Sequence, residues 1–109
     1  MKIHVLSENL QRKLPFIFHA VSTKTQLPVL SNLLLEARSG ILTISATDLE
    51  IGIQTEIDVN IEEDGGITVP ARFFVELVSS FSPGKTTMQT SGKTLEVVNA
   101  KTKSTFQTI

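Results

Sequence analysis

The feature that most constrains this chain is a repeated order of elements. Ser39-Gly40 and Ser91-Gly92 hold the same place in two successive units, each a strand, a helix and three further strands. In the first unit, Ile3 and Val5 alternate with His4 and Leu6 as an opening strand, and Ser7, Glu8 and Asn9 supply a helix-start signal. Leu10, Leu14, Ile17, Phe18 and Val21 follow at helical spacing and predict a helix from about Glu8 to Val21. Pro15 interrupts that stripe and predicts a kink or an irregular first half, because an interior proline removes a hydrogen bond and crowds the preceding turn. After a polar loop, STKTQ, the period changes. Leu33–Ala37, Ile41–Ala46 and Leu49–Ile57 read as strands, with Ser39-Gly40 as a hairpin turn.

The second unit repeats this plan. Ile67–Val69 is a short strand and Pro70 suits a first helical position. Phe74, Leu77, Val78 and Phe81 mark an amphipathic helix that Pro83-Gly84 ends. Strand-like runs follow near Thr86–Gln89, Leu95–Asn99 and Ser104–Ile109. Between the units, Glu56–Asp64 carries Glu56, Asp58, Glu62, Glu63 and Asp64 with no basic residue, and reads as a solvated loop. The fold class expected is α+β: a duplicated βαβββ unit that sets two helices side by side on antiparallel sheet. Too few residues are identical between the halves to establish common descent.

A chain of 109 residues buries about 60 to 70% of its unfolded surface and can hold one core without staples. It has no cysteine, which excludes disulfides, thiol catalysis and thiolate metal sites and fits a reducing compartment. Ten Lys and Arg against eleven Asp and Glu give a net charge of -1, so no global pull toward nucleic acid or acidic membrane follows. The apolar run in MKIHVLSENL breaks at Ser7, too early for a secretory core or a membrane span. A cytoplasmic protein is expected.

Catalytic chemistry finds little support. In TDLEIGI, Thr47–Ile53, Asp48 and Glu50 stand two apart and would share one side of a strand. A shared cation is geometrically possible, but no histidine or third carboxylate lies at a partner spacing, and Thr-Asp between strands is ordinary turn chemistry. His4 and His19 lack an evident nucleophile or acid partner, and Gly65-Gly66 precedes a strand where a phosphate-cradling loop would precede a helix. No catalytic residue, metal ligand or cofactor site is expected.

Charge is segregated on the helices. Opposite the apolar stripe of the first lie Glu8, Arg12, Pro15 and His19, with Lys13 on the flank and Lys24 in the loop beyond; opposite that of the second lie Arg72, Glu76 and Ser79. Such faces are commonly just solvated. Basic groups on paired helices also suit weak, salt-sensitive phosphate contact without base reading.

Three stretches, LPVLSNLLLE (Leu27–Glu36), TDLEIGI and TVPARFF (Thr68–Phe74), stand in the order and spacing seen in the N-terminal domain of the bacterial DNA sliding clamp family, the beta subunit of DNA polymerase III. The opening MKIHV and the segment AVSTKTQ resemble it too, so the resemblance covers the whole chain. It implies a DNA-clamp fold within rings of two chains with three similar domains each, helices lining a central hole that duplex DNA threads and sheets forming the outer wall. TDLE then resembles a family signature at a strand junction without catalytic role.

By the same resemblance, Lys24 matches a basic residue, usually arginine, three positions before the Leu-Pro of the family's motif, in a loop that touches DNA. Arg72 matches the arginine of VPAR, and Arg12 and Lys13 fall where the family's first helix is commonly basic. Phe73 departs from a position that is often lysine, which with Glu76 weakens the second helix as a DNA contact. Lys103 and Phe106 match basic and aromatic positions that face the third domain of a second clamp chain, and Phe106 suits the core equally. The family continues into two further domains that receive polymerase and clamp-loader peptides. The expectation is therefore a fragment, residues 1–109, that alone neither closes a ring nor confers processivity. A stand-alone interaction domain with this fold and a small α+β enzyme with an unseen cofactor are the alternatives.

Overall fold

Ile3 and Val5 turn inward, as their alternation predicts, but the strand they form does not pair within its own unit. The computed structural model describes residues 1–24, 32–47 and 52–107, with the side chains of 16–24, 47, 52 and 53 outside that description. The first unit comprises β1 (Lys2–Leu6), α1 (Ser7–Lys24), β2 (Asn32–Arg38), β3 (Ile41–Thr47) and β4 (Gly52–Asp58). After β5 (Asn60–Glu63), the second comprises β6 (Gly65–Pro70), α2 (Ala71–Ser79), β7 (Lys85–Ser91), β8 (Thr94–Asn99) and β9 (Thr102–Gln107).

The two units exchange their leading strands. One sheet runs β5-β1-β7-β8-β9 and the other β4-β3-β2-β6. All pairings are antiparallel. Each three-strand meander thus takes its fourth strand from the other half. Equivalent positions follow: Val5 faces Thr86 across β1 and β7, while Val69 faces Leu33 across β6 and β2.

A single core joins the inner faces of both sheets to both helices, through Ile3, Val5, Leu10, Leu14, Leu33, Leu35, Ile44, Phe74, Val78, Met88 and Leu95. Both helices present their apolar stripe to it, Leu10 and Leu14 from α1 and Ala71, Phe74 and Val78 from α2. That burial is the driving force for the layer, since a fully buried Leu or Phe side chain gains about 1.5 to 3 kcal/mol over an exposed one.

Several local expectations change. The acidic stretch is not a loop, because β5 pairs with β1 and supplies a fifth strand. Its carboxylates stay in solvent, and Glu62 lies beside Lys2 at 3.6 Å and bonds His4, so like charges along the strand meet opposite or neutral groups across it. Helix α1 runs unbroken through Pro15 and on to Lys24, absorbing Ser22 and Thr23 that read as loop. Burial of Leu10 and Leu14 offsets the one lost backbone bond. Pro70 is extended, with φ −62° and ψ 123°, and caps α2 from outside, so the first helical residue is Ala71. Phe81 is buried but lies beyond the end of α2. β9 begins at Thr102, after a turn in which Ala100 takes a φ of 52°.

The first hairpin turn is as predicted: Ser39 and Gly40 have φ of 53° and 77°, the double positive φ that a type I′ turn needs. In the second, Ser91 closes β7 and the turn centres on Gly92-Lys93, with Gly92 at φ 61°. The stretch Asp48–Ile51, with the paired carboxylates, lies outside the described residues, as do Leu27–Ser31 and Thr108–Ile109.

Candidate nucleic-acid interface

The layer formed by α1 and α2 is fixed by one side chain that sequence reasoning passed over. Gln11 extends from α1 and donates through Nε2 to the Val78 carbonyl at 3.0 Å and the Phe81 carbonyl at 2.9 Å. The Val78 carbonyl also accepts from the Phe81 N–H at 3.1 Å, so Gln11 adds a second donor at the end of α2 and ties the two helices side by side. A recess of about 210 Å³ lies between them, lined by Gln11, Leu14, Pro15, Val75, Val78 and Ser79.

The N-terminus of α1 is held as firmly. The Ser7 N–H donates to the Gly84 carbonyl at 2.8 Å, and the Gly84 N–H donates back to Glu8 Oε1 at 2.8 Å. The Gly84 N–H, then the N–H of Glu8 itself, holds the Glu8 carboxyl below its ordinary value of 4.5. A lowered carboxylate pKa stabilises the fold above the unfolded value, and that stability is lost as pH falls through the folded one. Glu8→Gln should therefore narrow the gap between neutral and acidic stability. Urea midpoints at pH 7 and at about pH 3 check this, and equal acid sensitivity in both proteins would refute the role of the Gly84 contact.

On the outer surface, Arg12, Lys13 and Arg72 are all exposed, as expected from their place opposite or beside the apolar stripes. Two of them have side-chain partners. The Arg12 guanidinium donates to Asn9 Oδ1. Arg12, Lys13 and Asn9 line a recess of about 220 Å³ with Glu56, Ile57 and Asp58 of β4. Arg72 Nε lies 3.4 Å from Glu76 Oε1 one turn on, a solvated i,i+4 pair of a kind worth a few tenths of a kcal/mol. The helix surface is thus mixed in sign, with cations brought near carboxylates that the sequence places far away. It suits transient phosphate contact and opposes tight binding. Lys24 closes α1, and its side chain is outside the described residues.

The two remaining candidates part company. Phe106 faces Leu95 across β8 and β9 and is half-buried, its ring meeting Phe74 edge-on with centroids 6.0 Å apart. Lys103, three residues earlier, points to the opposite face, where Nζ lies 3.3 Å from Glu96 Oε2. β9 itself is an edge of the five-stranded sheet. His4 bonds Thr87 Oγ1 through Nδ1 at 2.9 Å and Glu62 through Nε2. Joining β1 to β7 on one side and to β5 on the other, this is a cross-strand tie. It is also the first cause holding the Glu62 carboxyl below its usual range. Among the described residues, no group of three or more potential ligands could hold a metal ion, and no helix is long and apolar enough to cross a membrane.

Comparison with known proteins agrees with this architecture. The Beta sliding clamp of Synechocystis is 34% identical over 90 residues, covering 81% of this chain and 23% of that protein. The Beta sliding clamp of Escherichia coli K12 is 30% identical over 111 residues, covering 100% of this chain and 30% of that protein. The solved structure of Caulobacter crescentus pol III beta superposes on the whole chain with a TM-score of 0.89 at 27% identity, using 30% of its own length. The DNA polymerase III subunit beta of Pseudomonas aeruginosa does so at 0.87 and 28%, again over 30% of its length. The chain therefore spans less than a third of these relatives. The sequence profile described as DNA polymerase III beta subunit, N-terminal domain, matches residues 1–108, and the chain belongs to that family.

Proposed function

We propose that this chain serves as the N-terminal domain of a ring-shaped sliding clamp, which encircles duplex DNA and tethers the replicative polymerase without catalysing a reaction itself. The observation that carries the reading is the family match over a fold whose two helices form one outward layer of mixed charge. A ring that holds DNA by topology needs contacts weak enough to slide, and this layer has that character.

In this reading Arg12, Arg72 and Lys24 meet the phosphates. Arg12 and Lys13 share one recess with Glu56 and Asp58, and as neighbours on α1 only one of them points into the hole. Lys103 and the edge formed by β9, backed by Phe106, meet a second clamp chain. Polymerase and clamp loader bind through other domains of the whole protein.

The test uses the native protein that carries this domain, loaded onto nicked circular duplex by its clamp loader. Retention through a wash at high salt, with loss on linearising the circle, is the expected result. Equal loss from circular and linear DNA would sink the proposal, because phosphate contacts alone fade steeply with salt whatever the DNA topology.

A further inference from the structure

The cations that suit phosphate contact face carboxylates that the chain itself supplies. On α2 the arrangement is local, with Glu76 one turn beyond Arg72 at 3.4 Å. On α1 the fold brings it about. β4 is an outer strand of the four-stranded sheet and packs beside α1. Ile57 is buried, so Glu56 and Asp58 on either side of it share the other, exposed face. There they line one recess with Asn9, Arg12 and Lys13.

The recess has a volume of about 220 Å³, room for several waters at about 30 Å³ each. None of the ion pairs among the described residues joins Arg12 or Lys13 to Glu56 or Asp58. The opposed charges therefore meet across solvent, which an arriving phosphate can displace. Asn9 Oδ1 accepts from the Arg12 guanidinium and, being neutral, fixes its place without cancelling its charge.

We propose that Glu56 and Asp58 are built-in competitors for the phosphate contact of Arg12 and Lys13, and that they set how firmly this domain holds DNA. The inference rests on the DNA-encircling reading and adds to it the residues that keep the grip weak. Attraction between exposed charges is modest in water, yet it is felt within the screening length of about 8 Å at physiological salt. A phosphate at the recess gains the pull of two cations and meets the repulsion of two carboxylates. With both carboxylates neutral, the pull is unopposed.

The test is a titration of the full 109-residue chain with a short linear duplex of mixed sequence, followed by amide chemical shifts at about 50 mM salt. Three variants stand beside the wild type. One is Glu56→Gln with Asp58→Asn, and a second adds Arg12→Ala and Lys13→Ala to it. The third, Glu63→Gln with Asp64→Asn, changes the net charge equally at the far end of β5. All these positions are exposed, so each variant should keep the far-UV circular dichroism of the wild type. The first variant should bind about fivefold more tightly than the wild type, with the added shifts centred on Asn9–Lys13. The charge control should gain less than about twofold, and removing the two cations should abolish the gain. Affinity in the first variant no greater than in the control would overturn the proposal. A gain that survives Arg12→Ala and Lys13→Ala, or no detectable binding by any of the proteins, would do the same. A linear duplex asks nothing of a ring, so the two readings fail separately. The gain without retention on circular DNA would count against the ring alone, and retention without the gain would count against the competing carboxylates alone.

Discussion

Asn99→Ala should lower stability by about 3 kcal/mol, a fall of roughly 15 °C in Tm for a domain of this size. Asn99 is buried at the end of β8, where Oδ1 accepts from the Ser82 N–H at 2.9 Å. Its Nδ2 reaches Ser7 Oγ at 2.9 Å, Thr86 Oγ1 at 3.1 Å and the Ser82 carbonyl at 3.1 Å. Ser7 and Thr86 are themselves buried, their hydroxyls 2.7 Å apart. Removing the amide strands several polar groups away from water, each worth about 1 to 3 kcal/mol when unsatisfied. The duplication supplies the control. Ser7, Thr86 and Asn99 are equivalent in place to Ala71, Leu33 and Ala46, and Thr86 faces Asn99 as Leu33 faces Ala46. In the other half the same site is wholly apolar and buried. The triple variant Ser7→Ala, Thr86→Val, Asn99→Ala should therefore be more stable than Asn99→Ala alone, since replacing both hydroxyl partners leaves only the Ser82 backbone groups without the amide. Urea midpoints at unchanged slope would measure both. A loss under about 1 kcal/mol for the single variant would show that water takes over the broken bonds.

What the sequence made legible was local period. Leu10 and Leu14 of α1 and Phe74 and Val78 of α2 are inside, and Arg12 and Arg72 are out, because helical spacing alone settles a side. Strand alternation placed Ile3 and Val5 but says nothing about a neighbour, so the exchange of β1 and β6 between sheets was invisible. β5 was missed because composition outweighed pairing: its acidic residues are tolerated at an edge opposite Lys2 and His4, neither of which is near in sequence. The site was less legible than the fold. That Glu56 and Asp58 share a recess with Arg12 and Lys13 depends on where β4 lies against α1, and Gln11 carries no local signal of its contact with α2. Lys103 and Phe106 point apart, as a spacing of three along a strand requires. Asp48 and Glu50 lie outside the described residues.

The exchange has a consequence larger than any single substitution: a chain severed at Val59 should yield two pieces that fold only together. Residues 1–59 contain β1 but neither of its neighbours, β5 and β7, and residues 60–109 contain β6 but not its neighbour β2. Alone, each piece keeps a three-strand meander with one apolar face uncovered and a leading strand with nothing to pair. The buried set Ile3, Val5, Leu10, Leu33, Phe74 and Met88 is divided between them, so neither retains a core. Separate peptides should show no cooperative unfolding transition. Mixed in equal amounts they should form a one-to-one complex with the far-UV circular dichroism of the intact chain, at a stability that now depends on concentration. Cooperative unfolding of the 1–59 piece by itself would mean that β1 can fold back on its own meander. The duplicated plan would then describe two domains in contact, whereas the observed pairing makes each half the template for the other.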